Sequence, residues 1–393
     1  MFFPSGGAIS GKPRLSAQSM SAASAPALVV AIPVKDEAER IGDCLNALAW
    51  QQEYRGHHVL LLLNNCTDAT ANVVRALAPS LPVGVHIVER RLPAARATAG
   101  TARSLAMRHA ARLLGPDGIL LTTDADGQVA PDWIVANLAA FRQGADVVAG
   151  QAVIDPLEAG RIPAHLHADD ALECAYGDLL DEIDALLDPD PADPWPRHGE
   201  HSGASIAVRL DAYLRAGGVP AVPVGEDRAF LAALKRVDAR IRHAPGVRVT
   251  VSGRIEGRAA GGMADTIRRR IGRQDPEIDD RLEPARDQAR RLKLRARFRA
   301  ARLTSPGRAA LASALGVSGT MLADALAQPF VGAGWAMLEA CSLALARRAV
   351  TRLELARETR RALRIRDRLL GVPTIRVAAD RGGIVAGAAA MPA

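Results

Sequence analysis

Apolar residues in the first part of this chain come in short unbroken runs, with helical patterns between them and a polar cluster closing each run. Residues 27–32, Ala-Leu-Val-Val-Ala-Ile, are continuously apolar and end at Pro33, as expected of a strand buried on both faces. Ile41, Cys44, Leu45 and Leu48 then recur at helical spacing. Residues 59–63, Val-Leu-Leu-Leu-Leu, predict a second buried strand that Asn64 and Asn65 stop. Thr67 and Asp68 are suitable caps for a helix through Val73, Val74 and Leu77. A third strand over 85–88, a long helix over about 94–114 and a fourth strand over 118–123 follow, the last running into Asp124.

This alternation predicts an α/β fold, a mostly parallel sheet flanked by helices, with a C-terminal α-helical appendage. The clusters Lys35-Asp36-Glu37, Asn64 to Asp68 and Asp124 to Gly127 each follow a strand. That edge is where open α/β sheets bind ligands. Residues 184–197 hold four prolines among several aspartates and predict a mobile loop or lid. From about Pro276 the pattern is helical and Arg-rich, with no strand signal until residues 373–377. The expected organisation is a disordered tail over 1–26, one α/β domain over 27–270, a helical region over 271–380 and a flexible tail over 381–393.

Composition narrows this further. With 49% hydrophobic residues in 393, a substantial core is available. The net charge of +7 is uneven: residues 169–200 are acidic and 268–302 basic. Such a balance suits anionic substrates, nucleic acid or a membrane surface alike. The Arg286 to Arg302 run has one aromatic, Phe298, and no nucleic-acid motif, so nucleic acid is not expected. A solvated helix face is the favoured reading of that run, and peripheral membrane contact the alternative. Four dispersed cysteines without a C-x-x-C pair argue against zinc or disulfides and for a reducing, cytoplasmic setting. The sequence shows no secretory signal pattern and no run of roughly 18 uncharged apolar residues, which implies a soluble or at most peripheral protein.

Asp124-Ala125-Asp126 would place two carboxylates on one side of an extended segment. Hard oxygen ligands suit Mg²⁺ or Mn²⁺, which takes its remaining ligands from phosphate and water. Gly127 permits close backbone approach. Taken alone, the motif is better read as turn or cap aspartates. The ordered series of Ile32 to Glu37, Leu62 to Asp68 and Thr123 to Gly127 changes that balance. It resembles the family 2 glycosyltransferases of GT-A fold over about residues 27–262.

The resemblance implies that a nucleotide-diphosphate sugar binds this edge. Pro33, Lys35 and Glu37 would lie in the first turn, Asn65 and Asp68 in the second beside the base, Asp124 toward the ribose and Asp126 toward the metal. Two departures stand out: Asn64-Asn65-Cys66 replaces acidic residues and glycine, and the family's A-R-N-x-G segment is met only loosely, by Ala95-Arg96 and Gly100. Gly225-Glu226-Asp227 precedes an amphipathic helix and matches the family's E-D motif, which makes Asp227 the general base toward an acceptor hydroxyl. A capping carboxylate is the plain alternative. The Ser202 to Ser205 segment resembles the small-residue stretch before the acceptor pocket. Arg254 and Arg258, with Gly261 and Gly262, would meet the diphosphate or form a solvated basic loop. His243 is a structural histidine or a third metal ligand. His198 and His201, flanking Glu200, would touch acceptor or nothing.

The function expected is transfer of a sugar to an acceptor hydroxyl, with inversion implied by the resemblance. A nucleotidyltransferase ranks behind, because its Gly-rich phosphate loop has no counterpart at Pro33 to Glu37. A catalytically inactive binding module has no need of Asp124, Asp126 and Asp227 together.

Overall fold

A computed structural model of the chain describes residues 27–258, 262–272 and 278–372. The elements of the sheet region are β1 (Leu28–Val34), α1 (Ile41–Ala49), β2 (His58–Asn64), α2 (Thr70–Leu77), β3 (Gly84–Arg90), α3 (Ala99–Ala111), β4 (Ile119–Thr122), β5 (Gln128–Val129), α4 (Trp133–Arg142) and β6 (Val147–Ile154). There follow α5 (Pro156–Ala159), α6 (Ala164–Leu187), β7 (Ile206–Arg209), α7 (Leu210–Arg215), α8 (Glu226–Arg236), β8 (Ile241–Val251) and α9 (Met263–Gly272). The C-terminal helices are α10 (Ala285–Leu303), α11 (Arg308–Leu315), α12 (Gly319–Leu326), α13 (Val331–Cys341) and α14 (Arg352–Leu369).

The strands form one sheet in the order β3-β2-β1-β4-β7-β6-β8-β5. β1 pairs in parallel with β2 and β4, β2 with β3, and β6 with β8, whereas β7 runs antiparallel between β4 and β6. The continuous apolar runs of β1 and β2 are explained by burial on both faces. Val30, Ile32, Leu61 and Leu63 pack with α1 and α4 on one side, and Val29, Ala31, Leu60 and Leu62 with α3 and α8 on the other.

The structure corrects three expectations, on a helix start, on the lid and on the Arg-rich run. The helix expected over 94–114 starts at Ala99, because Thr98 Oγ1 accepts the Thr101 N–H at 3.2 Å and caps it; Ala94–Arg96 is a separate 3₁₀ turn. The expected mobile lid over 184–197 is instead pinned down. Asp188 is buried and meets Arg295 and Arg299, while Asp193 is buried against Arg197, Arg242 and His243. The C-terminal helices follow the sheet region as expected and pack on α6, where Tyr176, Leu180 and Ile183 share a core with Leu292 of α10 and Leu355 and Ala362 of α14. The Arg-rich run, read as a solvated face, spends Arg291, Arg295 and Arg299 on Glu283, Asp184 and Asp188. The tails expected over 1–26 and 381–393, and the strand signal at 373–377, lie outside the described residues.

Among the described residues no single helix is long and apolar enough to cross a membrane; α11 and α12, bent by 107°, meet that length and composition only as a pair.

Candidate active site

Three turns meet at the ends of β1, β2 and β4. Asp36 and Asn65 adopt left-handed backbone conformations, φ 52° in both, which Asp and Asn tolerate better than most side chains. Asp36 Oδ1 accepts the N–H groups of Thr67 (2.6 Å) and Asp68 (3.3 Å), so the first turn holds the second. Asp68 returns the contact, accepting from Ala38 N at 3.1 Å, and also takes the N–H and hydroxyl of Thr70. Burial works against the Asp68 charge, but the Thr70 and Ala38 donors lower its pKa on balance. Thr70 Oγ1 accepts the Glu37 N–H at 2.8 Å. Asn65, expected beside a base, spends both ends of its amide on Leu92: Oδ1 accepts the N–H at 2.8 Å and Nδ2 donates to the carbonyl at 2.9 Å.

Asp36, Glu37, Asp68, Arg254 and Arg258 line a cleft of about 520 Å³. Lys35 follows β1 half-buried, Pro33 lies within β1 opposite Leu62, and Arg96 is exposed on its 3₁₀ turn.

The segment after β4 is a turn and not an extended strand, with the Gly127 N–H donating to the Asp124 carbonyl at 3.1 Å. The two carboxylates consequently meet different partners. Arg103 Nη2 lies 2.6 Å from Asp124 Oδ1, and Arg254 Nη2 lies 3.1 Å from Asp126 Oδ2. Arg254 also grips Glu37 through both nitrogens, at 2.5 and 2.9 Å. Burial, with Asp124 and Glu37 adding like charge against the relief from Arg254, raises the Asp126 pKa to about 6.

Arg103 was not among the residues singled out from the sequence, and it is the centre of the site. It is buried on α3 and donates to Asp124, to Glu226 Oε1 at 2.9 Å, to Thr122 Oγ1 at 2.9 Å and to the Gly203 carbonyl at 2.9 Å. Burial disfavours its charge, yet Asp124 and Glu226 outweigh burial and raise its pKa. A visible signal existed: Ala102-Arg103-Ser104 fits the A-R-N pattern better than Ala95-Arg96, and an arginine inside an Ala-rich buried helix face needs a partner.

Gly203 links this hub to the expected base. Its N–H donates to Asp227 Oδ2 at 3.0 Å, and a Cβ there would come within 2.8 Å of the Arg103 guanidinium. Gly100 allows a similar approach, since a Cβ would sit 2.0 Å from the Val222 carbonyl. α3 can therefore close on the segment that leads into α8. Asp227 stands in the first turn of that helix, and burial followed by the neighbouring Glu226 charge raises its pKa against the relief of the Arg228 N–H.

His243 is held elsewhere. Its Nδ1–H donates to Asp193 Oδ2 at 2.7 Å, and its ring lies 5.7 and 5.5 Å from those of His198 and His201. Among the described residues no group of three or more His, Cys, Asp or Glu side chains is arranged to hold a metal ion unaided. The D-x-D residues still suit a divalent cation completed by phosphate oxygens. Glu37, Asp124 and Asp126 bring more negative charge than Arg254 relieves at Asp126, and a hard cation would take up the remainder.

No curated protein matches the chain. Among solved structures, the mannosyltransferase PcManGT from Pyrobaculum calidifontis, in complex with GDP-Man and Mn²⁺, is 18% identical, with a TM-score of 0.42 over 88% of this chain and 86% of that one. S. aureus TarS 1–349 in complex with UDP-GlcNAc is 17% identical, with a TM-score of 0.43 over 89% and 93% of the two chains. Glucosyl-3-phosphoglycerate synthase from Mycobacterium tuberculosis, in complex with Mn²⁺, UDP-Glc and phosphoglyceric acid, is 18% identical, with a TM-score of 0.34 over 55% and 69%. Residues 29–194, which carry β1, the three strand-end turns and the D-x-D, match the family model described as glycosyl transferase family 2.

Proposed function

We propose that the chain transfers a sugar from a nucleoside-diphosphate donor to an acceptor hydroxyl with inversion at the anomeric carbon, Asp227 acting as general base. The observation that carries this reading is the hydrogen-bonded path from Asp124 through the buried Arg103 and Gly203 to Asp227. In this reading Asp124 and Asp227 belong to one hydrogen-bonded frame, which supports the fixed geometry that an in-line displacement requires. Asp227 is buried enough for its pKa to rise, which makes it a better proton acceptor than a solvated carboxylate.

The cleft between Asp36 and Arg258 is the donor site in this reading. Asp36 and Asp68 hold the turns that shape it, Asn65 fixes the second turn through Leu92, and Asp124 faces the ribose. Arg254 and Arg258 supply the cationic side that a diphosphate needs. Asp126, with Asp124, would hold Mg²⁺ or Mn²⁺, which when bound offsets charge on the departing diphosphate. Four free cysteines support a cytoplasmic setting.

A thermal-shift titration with UDP and GDP, with and without Mn²⁺, tests the donor reading. Metal-dependent stabilisation by one of them is expected, and its loss in Asp126→Ala. Stabilisation that ignores both metal and Asp126 would count against the metal site.

A further inference from the structure

The D-x-D region holds two guanidinium groups, and they are not equivalent. Arg103 cannot leave: its side chain is 7% exposed and bound to Asp124, Glu226, Thr122 and Gly203 at once. Arg254 lies just beyond β8, with its side chain 20% exposed, and among the described residues its guanidinium is held by two carboxylates, Glu37 and Asp126. The backbone around it is fastened by a different residue. Glu158 Oε2 accepts the Gly253 N–H at 2.7 Å and the Ser252 hydroxyl at 2.9 Å, and Glu158 Oε1 pairs with Arg40. The Arg254 side chain can therefore move while its main chain stays in place. It also lines the cleft together with Arg258.

Resting on the donor and metal reading above, we infer that Arg254 is the resident counter-cation of Asp126 in the free enzyme, releasing that carboxylate to a divalent cation and passing to the diphosphate when donor binds. A metal bound through Asp126 Oδ2 would stand within a few ångströms of the guanidinium that lies 3.1 Å from the same oxygen. Like charges at that separation repel strongly in a half-buried site. A diphosphate in the cleft removes the conflict, because it accepts the bidentate fork that Glu37 otherwise holds. Metal and nucleotide then bind cooperatively, each improving the site for the other. Arg254 acts in this as a positioning residue: it occupies Asp126 and disfavours metal at that carboxylate until a diphosphate arrives.

The test is calorimetric titration of the full chain with Mn²⁺ alone, then with UDP and GDP in turn at fixed Mn²⁺, for wild type, Arg254→Gln and Arg254→Lys. Arg254→Gln is expected to bind Mn²⁺ alone roughly tenfold more tightly and to bind the nucleotide less tightly, so the two effects have opposite sign. Arg254→Lys keeps the charge and should stay within about twofold of wild type for Mn²⁺ alone. Unchanged or weaker Mn²⁺ binding in Arg254→Gln would overturn the inference, as would an equal gain in Arg254→Lys. If wild type couples Mn²⁺ to nucleotide while Arg254→Gln leaves Mn²⁺ affinity untouched, this inference fails alone. Absence of any coupling in wild type would remove the metal reading with it. Melting curves identify a variant that has lost its fold.

Discussion

Arg103 and Asp124 join α3 to the turn that follows β4, at 2.6 Å and with the arginine buried. The pair is not isolated. Glu226, next to the expected base, takes Arg103 Nε, and the Gly203 carbonyl takes Nη1. One cation thus orders two anions from segments over 100 residues apart in sequence. The burial penalty is offset only because every face of the guanidinium has a partner.

Removal of that cation should be expensive. Arg103→Ala leaves Glu226 nearly buried without its partner and frees the Gly203 loop, so a loss of about 3–5 kcal/mol is expected in urea denaturation. Arg103→Lys retains a charge but reaches one or two of the four partners. It should remain folded, melt lower than wild type and lose most transfer activity. A lysine variant with normal turnover would show that the fork geometry is not needed.

Asp227→Asn keeps the contact with the Gly203 N–H and removes the proton acceptor. Transfer should fall by roughly 10²–10⁴-fold while nucleotide affinity stays near wild type. The pH profile follows from the raised pKa of this group. Only ionised Asp227 can accept a proton, so kcat/KM should rise with pH through a value above the usual aspartate range and then level off. An acid limb centred at or below that range, or turnover retained in the variant, would remove Asp227 from the base role.

The architecture was legible because the signals behind it are local. Buried strands of β1 and β2 show as unbroken apolar runs, and the turn residues that follow them need polar side chains whatever they bind. The D-x-D was readable only through its neighbours, and its geometry was misread: the turn closed by Gly127 sends Asp124 and Asp126 to different arginines. Arg103 was only faintly legible, for a different reason. Its importance arises from pairing across more than 100 residues with Glu226, and no local pattern encodes that contact. The lid reading failed likewise, because prolines and aspartates suggest mobility until the arginines of α10 and β8 are seen to neutralise them.

Asn65 offers a test of how residues were assigned to the nucleotide. Its amide is fully used by Leu92, and its backbone is left-handed. Asn65→Ala should therefore destabilise the fold by about 1–3 kcal/mol, from two lost hydrogen bonds and a strained alanine. Nucleotide affinity of the folded fraction should change by less than about twofold. A large affinity loss with unchanged melting would return Asn65 to direct contact with the base.

The junction between the sheet domain and the C-terminal helices carries an asymmetry that stability measurements can resolve. Asp188 is buried at the end of α6 and is shared by Arg295 and Arg299 of α10. Arg295 has a second anion, Asp184 at 2.9 Å, and Arg299 is 40% exposed. Asp188→Ala thus strands neither cation, since one keeps a carboxylate and the other has water, and a cost of about 1–3 kcal/mol is expected. Arg295→Ala does the reverse. It leaves a fully buried carboxylate with one partly solvated partner and takes a cation from Asp184, so about 3–5 kcal/mol should be lost. Urea unfolding of the two variants decides it: the arginine variant should be the less stable, and the opposite order would mean that Asp188 does not depend on Arg295 at this junction.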